Sequence, residues 1–238
     1  MLSITIDNKQ YQAEEGQSIL EAALNNGIEI PHLCYHENLS AYGGCRLCLV
    51  EISRDGKTKL TTSCTYPAAD GIIVETATPK VKKARRLVME LLLSMAPDSP
   101  QLQSYARKLG VHASRFKPDG DGCINCGLCV RVCTELVGAN ALTFANRGDQ
   151  KTVGPPFEEE PENCIGCGAC VLICPTDCIG IEENGDERKI KRWHKTLKMK
   201  YCKSCGRPYM PYAQIEFALQ RTADAVPEEW FEKCPDCR

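Results

Sequence analysis

Sixteen of the 17 cysteines in this 238-residue chain fall into four groups of four. The groups are Cys34/Cys45/Cys48/Cys64, Cys123/Cys126/Cys129/Cys133, Cys164/Cys167/Cys170/Cys174 and Cys202/Cys205/Cys234/Cys237, and Cys178 stands apart. Thiolates are the ligands of zinc and of iron–sulfur clusters, and each group has the spacing of such a site. A chain with this much thiolate and no recognisable substrate site reads as a conductor of electrons.

The two middle groups are the most specific. Cys123-x2-Cys126-x2-Cys129-x3-Cys133 and Cys164-x2-Cys167-x2-Cys170-x3-Cys174-Pro175 follow the bacterial two-cluster ferredoxin run, although Thr134 stands where the first run would have its proline. In such runs three close thiolates cap one face of a cubane and the fourth crosses to the other cluster. One 4Fe–4S cluster is therefore expected on Cys123, Cys126, Cys129 and Cys174, and a second on Cys164, Cys167, Cys170 and Cys133. Gly127 and Gly168 leave room for backbone N–H groups to approach sulfur. Tandem copies in this register argue against a pair of zinc knuckles.

The first group, Cys34-x10-Cys45-x2-Cys48-x15-Cys64, has a different logic. Three cysteines bracket a loop carrying Gly43-Gly44, and the fourth is distant, which suits a 2Fe–2S cluster. The gap of ten departs from the plant-type C-x4-C-x2-C spacing. The last group pairs Cys202-x2-Cys205 with Cys234-x2-Cys237 across 28 residues, the pattern of a tetrahedral structural zinc site. Rubredoxin-like iron uses similar knuckles, so both metals stay open. Cys178 reads as a small buried hydrophobe. His32 and His36 read as hydrogen-bonding groups around the Cys34 loop.

Elements must position these thiols. Leu2–Ile6 alternates like a strand, Asp7-Asn8 supplies turn chemistry, and Gln10–Ala13 returns as a hairpin partner. Ser18 followed by Glu21 forms a capping box for a helix ended by Asn25-Asn26-Gly27. Leu47–Ile52 and Gly71–Glu75 read as further strands. Hairpin, helix, loop and strands in this order form a β-grasp domain, residues 1–78. Val81, Ala84, Leu87, Val88, Leu91 and Leu92 recur at helical spacing over 80–95, within a helical linker 79–116 that has a second short helix at 102–109. A two-cluster ferredoxin domain occupies 117–185, a basic connector 186–200, and a small zinc-ribbon-like module 201–238. The fold class is α+β.

Bulk properties exclude several alternatives. The net charge of −2 gives no reason to expect nucleic acid. Knuckle spacing, chain length and the lack of a signal-like start argue against a secreted disulfide scaffold and for a reducing cytoplasm. No apolar run approaches the ~20 residues of a membrane helix. No G-x-G-x-x-G or P-loop motif appears, so flavin and NAD(P) are expected on another chain.

Three stretches carry a family resemblance. Gly16–Ala23, Ile28–Cys34 and Gly44–Glu51 resemble the N-terminal part of the large iron–sulfur subunit of respiratory complex I, the diaphorase iron–sulfur subunit of NAD-reducing hydrogenases and the N-terminal region of iron-only hydrogenases. The resemblance continues through Ala84-Arg85-Arg86, Glu90–Leu93 and Gly122–Cys133, covering roughly residues 1–183. It implies a cytoplasmic hetero-oligomer. A flavin- and NAD(P)-binding subunit would split a hydride, and this chain would pass single electrons to or from a second redox subunit or a ferredoxin. Hydrogenases, formate dehydrogenases and flavin-based electron-bifurcating transhydrogenases are the candidate complexes. The family usually carries an additional 4Fe–4S cluster on one histidine and three cysteines before the ferredoxin repeat. Ser94–Gln103 holds neither residue type, and His112 has no nearby cysteine partners, so that cluster is expected to be absent. The competing readings are a free-standing polyferredoxin and, in another class, a redox-sensing regulator.

Overall fold

A computed structural model describes the backbone of residues 1–238 and the side chains of all but Glu158 and Asp224. The chain divides into two compact units, Met1–Leu128 and Cys129–Arg238.

The first unit is built on a five-stranded sheet ordered β2-β1-β5-β3-β4. β1 (Leu2–Ile6) and β2 (Lys9–Ala13) form the hairpin, with Asp7 and Asn8 at φ 46° and 65°. This left-handed turn matches the twist of the strands it joins. α1 (Ile19–Asn25) begins at Ser18, which accepts a hydrogen bond from the Glu21 N–H while the Glu21 carboxylate accepts one from the Ser18 N–H. Its apolar face, Ile19, Leu20, Ala22 and Ala23, is fully buried in one core with Ile4, Ile6, Ile52 and Val74 of the sheet.

β3 (Leu49–Arg54) pairs antiparallel with β4 (Lys57–Thr62) through Asp55-Gly56, and with β5 (Ile73–Glu75), which runs parallel to β1. β4 falls outside the strands expected from sequence. It is an edge strand with one apolar residue, Leu60, so its alternation is faint. The Asp-Gly turn was the available signal.

α2 (Pro79–Met95) starts on a Thr78 cap and α3 (Pro100–Lys108) on a Ser99 cap, each with proline at the first helical position. The buried stripe of α2 is Val81, Arg85, Met89, Leu92 and Leu93. This differs from the expected stripe, because Leu87 and Leu91 are exposed by 43% and 44%. Arg85 lies on the buried stripe with the apolar residues, and Leu87 and Leu91 lie off it.

The second unit opens within the short helix α4 (Leu128–Arg131) and continues into a π-helical turn, Val132–Val137. A small hairpin follows, β6 (Thr143–Ala145) with β7 (Thr152–Gly154), and then α5 (Ala169–Leu172). A four-stranded sheet ordered β11-β10-β9-β8 completes it: β8 (Ile181–Asn184), β9 (Glu187–Ile190), β10 (Lys195–Tyr201) and β11 (Pro208–Pro211). α6 (Tyr212–Thr222) packs on β10 and β11.

Residues 186–200, expected as a basic connector, form β9, a 3-10 turn and β10 instead. Their cations alternate with buried Ile190, Trp193, Leu197 and Met199, so the stretch is one face of a sheet. Gly185-Asp186 closes the β8–β9 hairpin, with Gly185 at φ 62°.

Candidate metal centres

In the first unit, Cys34, Cys45 and Cys48 lie on the long loop between α1 and β3, and Cys64 follows β4. All four are buried. Their sulfurs converge: Cys45 hydrogen-bonds Cys34, and Cys64 hydrogen-bonds both Cys34 and Cys48. These contacts hold the Cys34 thiol down at about 2 and the Cys48 thiol at about 6, while Cys45 and Cys64 are pushed up.

Backbone geometry completes the cradle. The Cys45 N–H donates to the Cys34 Sγ at 3.4 Å, the Gly44 N–H donates to the same sulfur, and the N–H groups of Leu33 and Leu47 serve Cys45. Gly43 has φ 68°, and a Cβ there would meet Thr65 Cγ2 at 3.0 Å. A side chain at Gly44 would strike the Tyr42 ring at 2.4 Å. Gly43 is the position whose left-handed backbone favours glycine, while a side chain at Gly44 would have to displace the Tyr42 ring. Leu33 and Leu47, next in sequence to Cys34 and Cys48, are themselves buried. Four thiolates, N–H donors aimed at sulfur and an apolar surround fit a 2Fe–2S cluster.

Arg85 is a further residue of this site that sequence reasoning missed. Its Nε and Nη2 donate to the Leu49 carbonyl at 3.0 and 2.6 Å, one residue from Cys48. Burial lowers its pKa, opposed by the charge of Cys48. The signal was its place four residues after Val81 and four before Met89, which puts it on the apolar stripe. His32 and His36 are occupied by backbone: His32 Nδ1 bonds the Ile30 carbonyl at 2.8 Å, and His36 Nδ1 accepts from the Asn38 N–H at 3.2 Å. His112 is exposed.

In the second unit, Cys164, Cys167 and Cys170 gather with Cys133, and charge on one member of the set raises the pKa of its neighbours. Burial is the larger cause, and it pushes Cys170 up to about 12. Cys133 accepts the Ala141 N–H at 3.3 Å, and Cys164 accepts the Gly166 N–H. Cys133 thus stands with the second cysteine run, where a crossover ligand belongs, and this donor set fits a 4Fe–4S cluster. Of the other expected set, Cys123 and Cys126 close the first unit, while Cys129 and Cys174 belong to the second. Cys178, expected as a buried packing residue, is half-buried with its Sγ 3.6 Å from the Cys174 Sγ.

The last group is the tightest. The sulfurs of Cys202, Cys205, Cys234 and Cys237 all lie within 4.8 Å of one another, with Cys205 and Cys234 at 3.9 Å. Two knuckles position them. The Gly206 N–H returns to the Cys202 carbonyl at 2.9 Å, and the Cys234 N–H donates to the Cys202 Sγ at 3.3 Å. Backbone donors hold Cys202 down at about 6, and Arg207 lowers Cys205. Arg207 also bonds Asp236 at 3.1 Å, tying one knuckle to the other. Metal–sulfur bonds of ~2.3 Å in a tetrahedron separate sulfurs by about 3.8 Å, so these four thiols are close enough together to hold a metal ion.

Comparison with known proteins finds iron–sulfur families along most of the chain. Residues 1–79 match the 2Fe-2S iron-sulfur cluster binding domain family, and residues 115–175 and 163–208 match 4Fe-4S dicluster domain families. A subunit of the NADH-quinone oxidoreductase of Rickettsia prowazekii is 34% identical over 178 residues, covering 64% of this chain and 26% of that protein. The mitochondrial NADH-ubiquinone oxidoreductase 78 kDa subunit of Candida albicans is 33% identical over 180 residues, covering 64% and 25%. The chain thus spans about a quarter of the length of these curated relatives. A chain of an NAD+-reducing [NiFe]-hydrogenase, solved in the H2-reduced state, superposes with a TM-score of 0.58 at 32% identity, covering 65% of this chain and 75% of that one. Among the described residues, no helix is long and apolar enough to cross a membrane.

Proposed function

This chain belongs to the family of iron–sulfur subunits that includes the matching subunits of NADH-quinone oxidoreductase and of the NAD+-reducing [NiFe]-hydrogenase, and from that premise we propose that it relays single electrons inside a hetero-oligomeric NAD(P)-linked oxidoreductase. Its donor would be a flavin- and NAD(P)-binding subunit, and its acceptor a second redox subunit or a ferredoxin, with the direction reversible. A hydrogenase, a formate dehydrogenase or an electron-bifurcating transhydrogenase would each use such a chain in the cytoplasm.

Iron–sulfur clusters, when bound, supply reversible one-electron reduction. Cys34, Cys45, Cys48 and Cys64 hold a 2Fe–2S cluster in this reading. Cys123, Cys126, Cys129 and Cys174 hold one 4Fe–4S cluster, and Cys133, Cys164, Cys167 and Cys170 the other. The chain's own groups do three things. Thiolates fix the centres, N–H donors such as those of Gly44, Cys45 and Ala141 stabilise charge on sulfur, and burial of the four N-terminal cysteines keeps water from them. The observation that carries the reading is the convergence of the four buried N-terminal sulfurs beneath the Gly43-Gly44 loop. For Cys202, Cys205, Cys234 and Cys237 we favour structural zinc, supported by their 4.8 Å grouping.

Anaerobic purification followed by metal and sulfide analysis tests this. About ten irons and one zinc are expected per chain from these cluster types. EPR of the reduced protein should show one 2Fe–2S signal and interacting 4Fe–4S signals. A colourless protein, or centres that stay oxidised beside an NAD(P)H-fed flavoprotein partner, would overturn the reading.

A further inference from the structure

A side chain from the turn between two strands of the four-stranded sheet reaches a cysteine sulfur ahead of it in the chain. Trp193 is 3% exposed, and its indole Nε1–H donates to the Cys170 Sγ at 3.5 Å. The ferredoxin motif does not contain this residue; it lies 23 positions after Cys170, in the stretch expected as a connector. Its position is over-determined. The 3-10 turn Lys191–Trp193 is pinned by the Lys191 N–H on the Gly180 carbonyl at 2.9 Å, and His194 at φ 51° turns the chain sharply into β10. The same sheet grips the cysteine loop from a second side. Arg188 Nη1 donates to the Gly166 carbonyl at 2.9 Å, and its other nitrogens bond Glu183.

We propose that Trp193 is a positioning residue that raises the reduction potential of the centre held by Cys133, Cys164, Cys167 and Cys170. The proposal rests on the reading of those cysteines as cluster ligands. An electron added to an iron–sulfur centre places negative charge on its sulfurs, and an N–H dipole aimed at a ligand sulfur stabilises that reduced state more than the oxidised one. A buried indole N–H needs an acceptor in any case, and here the acceptor is a cluster ligand. One centre of the repeat is thereby tuned by a residue that lies outside both cysteine motifs.

Two variants separate tuning from packing. Trp193→Phe removes the N–H and part of the ring. Replacement of Trp193 by 3-benzothienylalanine at an amber codon keeps the bicyclic shape and removes only the donor. Potentiometric titration of the full chain, followed by low-temperature EPR, should show one 4Fe–4S wave moving to lower potential in both variants. The expected shift is a threefold to tenfold fall in the reduction equilibrium constant, the upper figure corresponding to about 59 mV for one electron. The second 4Fe–4S wave and the 2Fe–2S wave should stay in place, and pulsed EPR should lose one exchangeable proton coupled to the shifted centre. Unchanged potentials in the isosteric variant at full iron content would overturn the proposal. Loss of the cluster from that variant would overturn it too, because the N–H would then be a structural strut. A wild-type chain without 4Fe–4S centres would instead refute the underlying reading of the cysteines.

Discussion

At the scale of single residues, a buried cation and a half-buried phenol make separable predictions. Arg85 is placed where an alanine or leucine would pack, yet it gives two charge-assisted hydrogen bonds to the Leu49 carbonyl. Arg85→Leu leaves that carbonyl unpaired and should destabilise the first unit by about 2 kcal/mol, read as a lower denaturant midpoint. It should also lower the potential of the N-terminal centre, since a positive charge beside Cys48 is gone. Tyr35 titrates high, near 12, chiefly through burial and then through Glu21, to which its hydroxyl donates at 3.3 Å. The unfolded phenol ionises near 10, so folding favours the protonated form. That contribution is whole below pH 10 and disappears as pH rises towards 12. Tyr35→Phe should flatten the corresponding part of the stability profile between those values, measured by chemical denaturation at each pH.

At the scale of elements, turns and caps decide which loops can hold metal. Gly166 lies between Cys164 and Cys167 at φ 69°, and a Cβ there would meet Leu197 Cδ1 at 2.7 Å and Pro211 Cγ at 3.1 Å. Gly166→Ala should cost roughly 1–2 kcal/mol in backbone strain alone. Its clash with β10 and β11 should further reduce occupancy of one 4Fe–4S centre, visible as a fall in iron content with the 2Fe–2S signal intact. Local rules were readable in advance where one short motif carries the whole signal. Ser18 and Glu21 dictate the start of α1, and Asn25-Asn26-Gly27 its end. Reading failed where charge hid alternation, as in Lys57–Thr62 and in Arg188–Lys200, or where a charged residue took an apolar place, as Arg85 does. The closeness of Cys202, Cys205, Cys234 and Cys237 was legible because each C-x-x-C knuckle is a local motif. The indole contact with Cys170 was not, because it joins two elements whose meeting depends on the fold of the sheet between them.

At the scale of the whole molecule, two compact units carry four cysteine groups, and in the proposed reading the C-terminal one depends most on a metal. Residues 201–238 contribute few large buried side chains, chiefly Ile215 and Phe231, so a metal held by their four cysteines would supply much of their folding energy. A strong chelator, or Cys237→Ser, should melt α6 and reduce the helical circular dichroism of the chain. The visible spectrum of the 2Fe–2S centre in the first unit should survive that treatment.

β10 runs from just after Trp193 directly into Cys202. One seven-residue strand thus links an indole on the Cys170 sulfur at its near end to a four-cysteine group at its far end. A zinc ion is spectroscopically mute, with a filled d shell and no colour. If the proposed zinc fills that group, losing it would slacken the strand that aims the indole, and a shifted signal from the proposed 4Fe–4S centre would announce the loss. The iron would then speak for the zinc.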